Sequence, residues 1–275
     1  EMARALRTSR TMTVGVLIPS LENIFFTSIV SHIENILLKE GYSTIVCDFK
    51  EDPELEEKKL QFLFDKMVDG IVLMPLPDND SLVKKIIAQK TPLVLIDRLI
   101  PNVDCDVVLV DNLNASYNAV EQLIVYGHRR IGIIAGPQKV YTAQERLKGY
   151  IRVFEDYGLK VDPGLIKHGD YKIESGYHLL MELMKNDPPP TAVYVTNYEM
   201  TIGSIIAINE NNIRIPDDIS FIGFDNLDLA RIVKPALSIV VQPVQQIGET
   251  AAKVLLKRLN KDHRGFPLVW RLKTE

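Results

Sequence analysis

Five polar side chains close apolar runs in this sequence: Asp97 after PLVLI, Asp111 after VVLV, Asn197 after AVYVT, Asp225 after ISFIGF and Gln242 after SIVV. Consecutive Val, Ile and Leu residues read as strands buried on both faces of a parallel sheet. Open α/β sheets of that kind bind ligands beyond the carboxyl ends of their strands. Carboxylates and amides placed there suit vicinal hydroxyls, because each offers paired acceptors or an acceptor beside a donor. Arg146, in AQERLKGY, adds a planar fork of donors. Phe25, Phe26 and Tyr171 fall in the segments after strands and could cover the C–H face of a pyranose ring. These are the parts of a sugar site. Each part also has an alternative reading. A strand-end Asp or Asn can cap the next helix, which bears hardest on Asp111 and Asn197, and Phe25 and Phe26 can pack in a core or staple a helix start.

Other chemistries find no support in the motifs. The turn after the first strand, PSLENIFF, has no glycine, so a backbone approach to a pyrophosphate is disfavoured. GxxxxGK[ST], GxSxG and HExxH are absent. The 5 His residues are scattered at 32, 128, 168, 178 and 263, and His32 and His178 read as ordinary helix positions. Gly127-His128-Arg129-Arg130 reads as a helix C-terminus with cations at its negative end. Cys47 and Cys105 form no CxxC pair, so neither a disulfide framework nor a thiolate metal site is expected. No catalytic group, metal or cofactor is expected.

The net charge of -4, from Lys+Arg 32 against Asp+Glu 36, gives the body of the chain no basic field for holding nucleic acid. Any contact with DNA must be local. One local feature stands at the start, where Arg4, Arg7 and Arg10 recur every third residue around Leu6. This stub runs into TMTVGVLIP without a small-residue cleavage site, so a cytoplasmic protein without a membrane span is expected.

Nine strands are predicted, at 14–19, 44–49, 70–75, 92–97, 107–110, 131–136, 192–197, 219–225 and 238–242. Helices are predicted between most of them. In the first, Phe26, Ile29, Val30, Ile33 and Leu37 share a face ahead of Gly41. In 53–68, Pro53 and acids open the helix and Leu60, Leu63, Phe64 and Met67 form its apolar stripe. Further helices are predicted at 81–90, 114–126, 143–157, 174–186, 199–211 and 243–260. VGVLIPS at 14 and IGIIAGP at 131 open two similar series. The expected fold is α/β, with two similar doubly wound parallel-sheet subdomains joined by several crossover strands and a ligand cleft between them. Residues 1–11 would be a linker remnant, 12–110 with about 242–262 the N-terminal subdomain, and 111–241 with about 263–275 the C-terminal one.

The chain resembles the effector-binding core of the lactose and galactose repressor family, which is similar in fold to the type I periplasmic sugar-binding proteins. The resemblance rests on Asn23-Ile24-Phe25-Phe26, Val68-Asp69-Gly70-Ile71, Ile96-Asp97-Arg98, Asp111-Asn112, Gly127 to Ile131, Ala135-Gly136-Pro137, Arg146 to Tyr150, Pro216 to Ser220, Gly223-Phe224-Asp225 and Gln242-Pro243, in that order over nearly the whole length. It implies a transcriptional regulator that binds a small sugar or sugar derivative, changes operator affinity on closing around it, and works as a homodimer. It implies effector contacts at Phe25, Phe26, Asp97, Arg146, Tyr171, Asn197, Asp225 and Gln242. It also implies that the opening stub resembles the tail of a hinge helix, with Leu6 as a minor-groove wedge and Arg4 and Arg7 as phosphate neighbours. Operator binding is then expected only of a longer protein with a helix-turn-helix headpiece. Ile24 stands where the family usually has Pro, and Tyr198 where it usually has Asp. Two binding alternatives remain open: a solute receptor of a sugar transporter, and a regulator answering to a purine or a protein partner. An enzyme on the same kind of sheet would need a nucleophile, metal set or phosphate loop that the motifs lack.

Overall fold

The computed structural model describes residues 10–77, 79–225 and 227–274, with the side chains of 227–229 set aside. The hinge residues Arg4, Leu6 and Arg7 lie outside the described residues. The described chain divides into two compact units. Unit 1 comprises the residues up to Val110 together with Pro243–Leu272, and unit 2 comprises Asp111–Gln242 with the residues from Lys273 onward.

Unit 1 carries β1 (Thr13–Ile18), α1 (Ile24–Lys39), β2 (Ser43–Asp48), α2 (Pro53–Asp65), β3 (Gly70–Leu73), α3 (Asp80–Ala88), β4 (Leu93–Ile96) and β5 (Asp106–Val110). The returning chain adds α9 (Val244–Leu259) and β11 (Val269–Leu272). Its parallel sheet runs β11-β5-β4-β3-β1-β2. GIVL of β3 and LVLI of β4 are buried at every position, as strands covered by helices on both faces must be. Helix starts follow capping chemistry. Asn23 accepts from the Phe25 amide at 2.9 Å, and Asp52 accepts from Glu54 and Leu55 ahead of Pro53 at the first helical position. One face of the sheet packs against α1 and α9, whose side chains Phe26, Ile29, Ile33, Ile247, Ala251 and Leu255 meet Val14, Val16, Val72 and Val94 in a single core.

Unit 2 carries α4 (Asn112–Val125), β6 (Ile131–Ala135), α5 (Tyr141–Asp156), β7 (Ile166–His168), α6 (Ile173–Met184), β8 (Ala192–Val195), α7 (Tyr198–Glu210), β9 (Ser220–Phe224), α8 (Leu227–Ile232) and β10 (Ser238–Val240). Its parallel sheet runs β10-β9-β8-β6-β7. Read from the other edge this is second, first, third, fourth, fifth strand, the same winding as β2-β1-β3-β4-β5 in unit 1. The direction of winding reverses between β1 and β3 in unit 1 and between β6 and β8 in unit 2, which marks the crevice where such sheets take ligands.

Two elements correct the sequence reading. Residues 269–272 form β11, paired with β5 of unit 1, so the segment 263–272 belongs to unit 1 rather than to the C-terminal subdomain. Gln242 conversely belongs to unit 2. The reason for β11 is a buried anchor: Asp106 accepts from the Leu268 amide at 2.8 Å and from Arg258, fastening the returning chain to the edge of sheet 1. The second element, β7, was not expected at all. Its sequence IKH has no apolar run because it is a three-residue edge strand.

Helices α6 and α7 touch backbone to backbone. A Cβ at Gly203 would stand 1.9 Å from the Ile173 carbonyl oxygen, and one at Gly176 would stand 2.2 Å from the Met200 oxygen. Neither obstacle is a side-chain end that could swing aside. Gly203→Val is therefore expected to force the helices apart and destabilise unit 2 by about 3 kcal/mol or more. Urea unfolding followed by far-UV circular dichroism checks this, and an unchanged midpoint would contradict the close packing.

Candidate functional site

Arg146 is the organising side chain of unit 2. It sits in the second turn of α5, 4% exposed, with its guanidinium carbon 3.8 Å over the ring of Phe224. Its Nε donates to Asn112 Oδ1 at 2.7 Å and its Nη1 donates to the backbone oxygen of Thr196 at 2.6 Å. Asn112 and Thr196 are themselves buried. The fork is thus fixed by the start of α4, the end of β8 and the end of β9.

Phe224 ends β9 and Asp225 follows it. The Asp225 amide donates to the Val240 oxygen at 2.8 Å, while its carboxylate Oδ1 accepts from Gln242 Nε2. Gln242 is 4% exposed, and its Oε1 is buried without a hydrogen-bond partner among the described residues. Tyr194 of β8 has its ring centroid 6.4 Å from that of Phe224 and its hydroxyl 2.7 Å from Ser116 Oγ. Burial pushes its phenol well above the usual range, while the Arg146 charge pulls it down and the Asp225 charge pushes it up. Arg146 stands over the ring of Phe224 and Asp225 is the next residue, so both charged groups belong to the end of β9.

Tyr171 stands at the switch point of sheet 2. Its ring lies on Gly136, directly after β6, where a Cβ would be 2.2 Å from the ring. The backbone there is left-handed, with φ 67° at Tyr171, and Asp225 (φ 83°) and Asp97 (φ 66°) share the feature. Positive φ is costly for an aromatic residue and persists where surroundings hold it, commonly at ligand sites. Asn197 and Asp111 serve as caps: Asn197 Oδ1 accepts from the Met200 amide at 2.9 Å, and Asp111 Oδ1 accepts from the Asn114 amide at 3.4 Å.

In unit 1 Asp97 follows β4, 5% exposed, with its amide on the Val108 oxygen at 2.9 Å. Its carboxylate lies 3.6 Å from Arg98 Nε, and Arg98 Nη1 donates to the Pro75 oxygen at 3.2 Å. Beneath them Glu56 is fully buried, accepting from the Leu76 amide at 3.2 Å and from Asn79 Nδ2. Burial raises its pKa, opposed by those two hydrogen bonds and by the Arg98 charge. Phe25 and Phe26 are 8% and 9% exposed, meet edge to face at 5.5 Å between centroids, and belong to the core of unit 1.

Unit 2 thus holds Arg146 over Phe224, the residue before Asp225, bonds Gln242 to Asp225, and sets Tyr171 and Asn197 at its strand ends. Unit 1 sets Asp97 at the end of β4, whereas Phe25 and Phe26 lie in the first turn of α1 rather than in a loop and pack into the core. Sequence reasoning missed the supports Asn112, Thr196, Tyr194, Arg98 and Glu56. Asn112 and Arg98 had a signal, since each directly follows a strand-end Asp; Glu56 looked like any acid in the first turn of a helix. Among the described residues no group of three or more His, Cys, Asp or Glu could hold a metal ion, and no helix is long and apolar enough to cross a membrane.

A two-unit parallel α/β protein with a donor fork and a carboxylate at its strand ends is a small-molecule binding domain of the periplasmic-binding-protein kind. Comparison with known proteins narrows the class. The model describing periplasmic binding proteins and the sugar-binding domain of the LacI family matches residues 11–266. The chain is 31% identical over 266 residues to the HTH-type transcriptional repressor CytR of Escherichia coli (strain K12), covering 96% of this chain and 77% of that protein. A solved complex of the transcriptional regulator CelR with cellobiose superposes with TM-score 0.89 at 26% identity, covering 99% of this chain and 87% of that one. A LacI-family regulator from Enterococcus faecium with bound ribose gives TM-score 0.84 at 27% identity, covering 96% of each chain. The chain belongs to the LacI family and is the effector-binding domain of a transcriptional repressor of that family.

Proposed function

We propose that this domain binds a neutral polyhydroxylated effector, a sugar or sugar derivative, and couples its binding to operator affinity in a cytoplasmic homodimer of the longer protein. The observation that carries this reading is the Arg146 fork held over the ring of Phe224, the residue directly before the carboxylate of Asp225. A hydroxyl can donate to the carboxylate while its neighbour accepts from the guanidinium, which is how a vicinal diol satisfies both at once. The bound ribose and cellobiose of two solved relatives support the sugar class. Tyr171 supplies a ring for the C–H face of the guest. Effector binding changes operator affinity by a factor that operator DNA returns on the effector, since the coupling is reciprocal.

A thermal-shift screen over ribose, cellobiose, other pentoses and hexoses, their phosphate esters and purines tests the class. Stabilisation by a neutral sugar is the expected result, because a ligand that binds only the folded state raises the melting temperature by mass action. Calorimetry on Asp225→Asn should then give an affinity roughly tenfold weaker, from loss of a charge-assisted hydrogen bond. Stabilisation by purines alone, or an affinity unchanged in Asp225→Asn, would overturn the reading.

A further inference from the structure

The two charged groups of unit 2 share an unassigned feature: each is bonded to a residue where the chain passes between units. The chain enters unit 2 after Val110 and leaves it after Gln242. Asn112, the second residue past the entry, is 1% exposed and accepts from Arg146 Nε at 2.7 Å. Gln242, the last residue before the exit, is 4% exposed and donates to Asp225 Oδ1. Asp225 is tied to the exit a second time through its amide and the oxygen of Val240, two residues upstream of Gln242.

We infer that Asn112 and Gln242 are positioning residues through which the state of Arg146 and Asp225 sets the local stability of these two of the three crossings. The inference rests on the reading that these two side chains hold the effector. Asn112 Oδ1 has almost no access to water, so if Arg146 swings away a buried acceptor loses its donor and the first turn of α4 loosens. A guest hydroxyl on Arg146 or Asp225 holds the side chain in place and tightens the crossing bonded to it. Gln242 adds a direct route, because its buried Oε1 has no partner among the described residues and is an acceptor for a guest hydroxyl. Crossings that connect two units are the segments that absorb backbone rotation when the units move. In this way occupancy of the site would reach the connections between units without a contact elsewhere.

Amide hydrogen exchange followed by mass spectrometry on the whole chain, without ligand, tests the inference. In Arg146→Lys, which keeps charge but loses the fork, peptides spanning 110–116 are expected to exchange at least tenfold faster than in the parent, with β6 peptides unchanged. In Asp225→Ala, which removes the acceptor of Gln242 Nε2, the same is expected of peptides spanning 239–245. Asn112→Asp keeps the acceptor and turns its bond to Arg146 into an ion pair, so exchange at 110–116 should stay at the parent rate or slow. Unchanged exchange at both crossings, or uniform acceleration of the whole chain, would overturn the inference. Failure of the sugar reading would appear separately, as no response to ribose, cellobiose or the rest of the sugar panel in the thermal-shift screen.

Discussion

Arg146→Ala is expected to lose about 3–5 kcal/mol of stability in unit 2 and at least a hundredfold in effector affinity. The stability loss has three sources. Asn112 Oδ1 and the Thr196 oxygen, both buried, lose charge-assisted donors, and the Phe224 ring loses a desolvated cation 3.8 Å above it. The affinity loss is expected to exceed that for Asp225→Asn because a fork can serve more than one hydroxyl at once. Arg146→Lys should recover part of the stability, through the charge, and little of the affinity. Urea unfolding and calorimetry on the same samples separate the two effects. A variant that binds its sugar as tightly as the parent would remove Arg146 from the site.

Asp106→Ala should produce the largest loss in unit 1, about 3–5 kcal/mol, because it strands a buried guanidinium. Arg258 donates Nε to Asp106 Oδ2 at 2.6 Å and Nη2 to Oδ1 at 2.8 Å, with the side chains 3% and 0% exposed. The same carboxylate takes the Leu268 amide, so β11 should detach from β5 as well. Trp270, the single tryptophan of the chain, sits on β11 and reports this through its fluorescence. Unit 2 shares none of these contacts, and its unfolding should be untouched. An unchanged unfolding midpoint for unit 1 would show the pair to be dispensable. Replacing both partners by apolar residues should cost less than replacing one, since no charge is then left buried alone.

Much of this architecture was legible in the residues. Runs such as GIVL and LVLI have no polar face, so they could only be central strands, and the repeated VGVLIPS and IGIIAGP marked the first strand of each sheet. The elements that escaped are those whose stability comes from elsewhere. The strand β7 is a short edge, and β11 is exposed along most of its length and held by the Asp106 anchor, which no local pattern announces. At the site, polar residues on strand tips could be picked out, and so could the capping alternative for Asp111 and Asn197, but not the tasks of the others. Asp111 and Asn197 took up capping. Gln242 turned toward Asp225. Arg98 and Glu56 form a buried group that depends on three separate segments meeting, information absent from any one of them.

The most direct test of the account is a crystal structure of the domain with the sugar that stabilises it best. Guest oxygens should lie within about 3.2 Å of both the Arg146 guanidinium and the Asp225 carboxylate, with the C–H face of the ring against an aromatic side chain. A sugar bound elsewhere, leaving Arg146 and Asp225 to water, would contradict it.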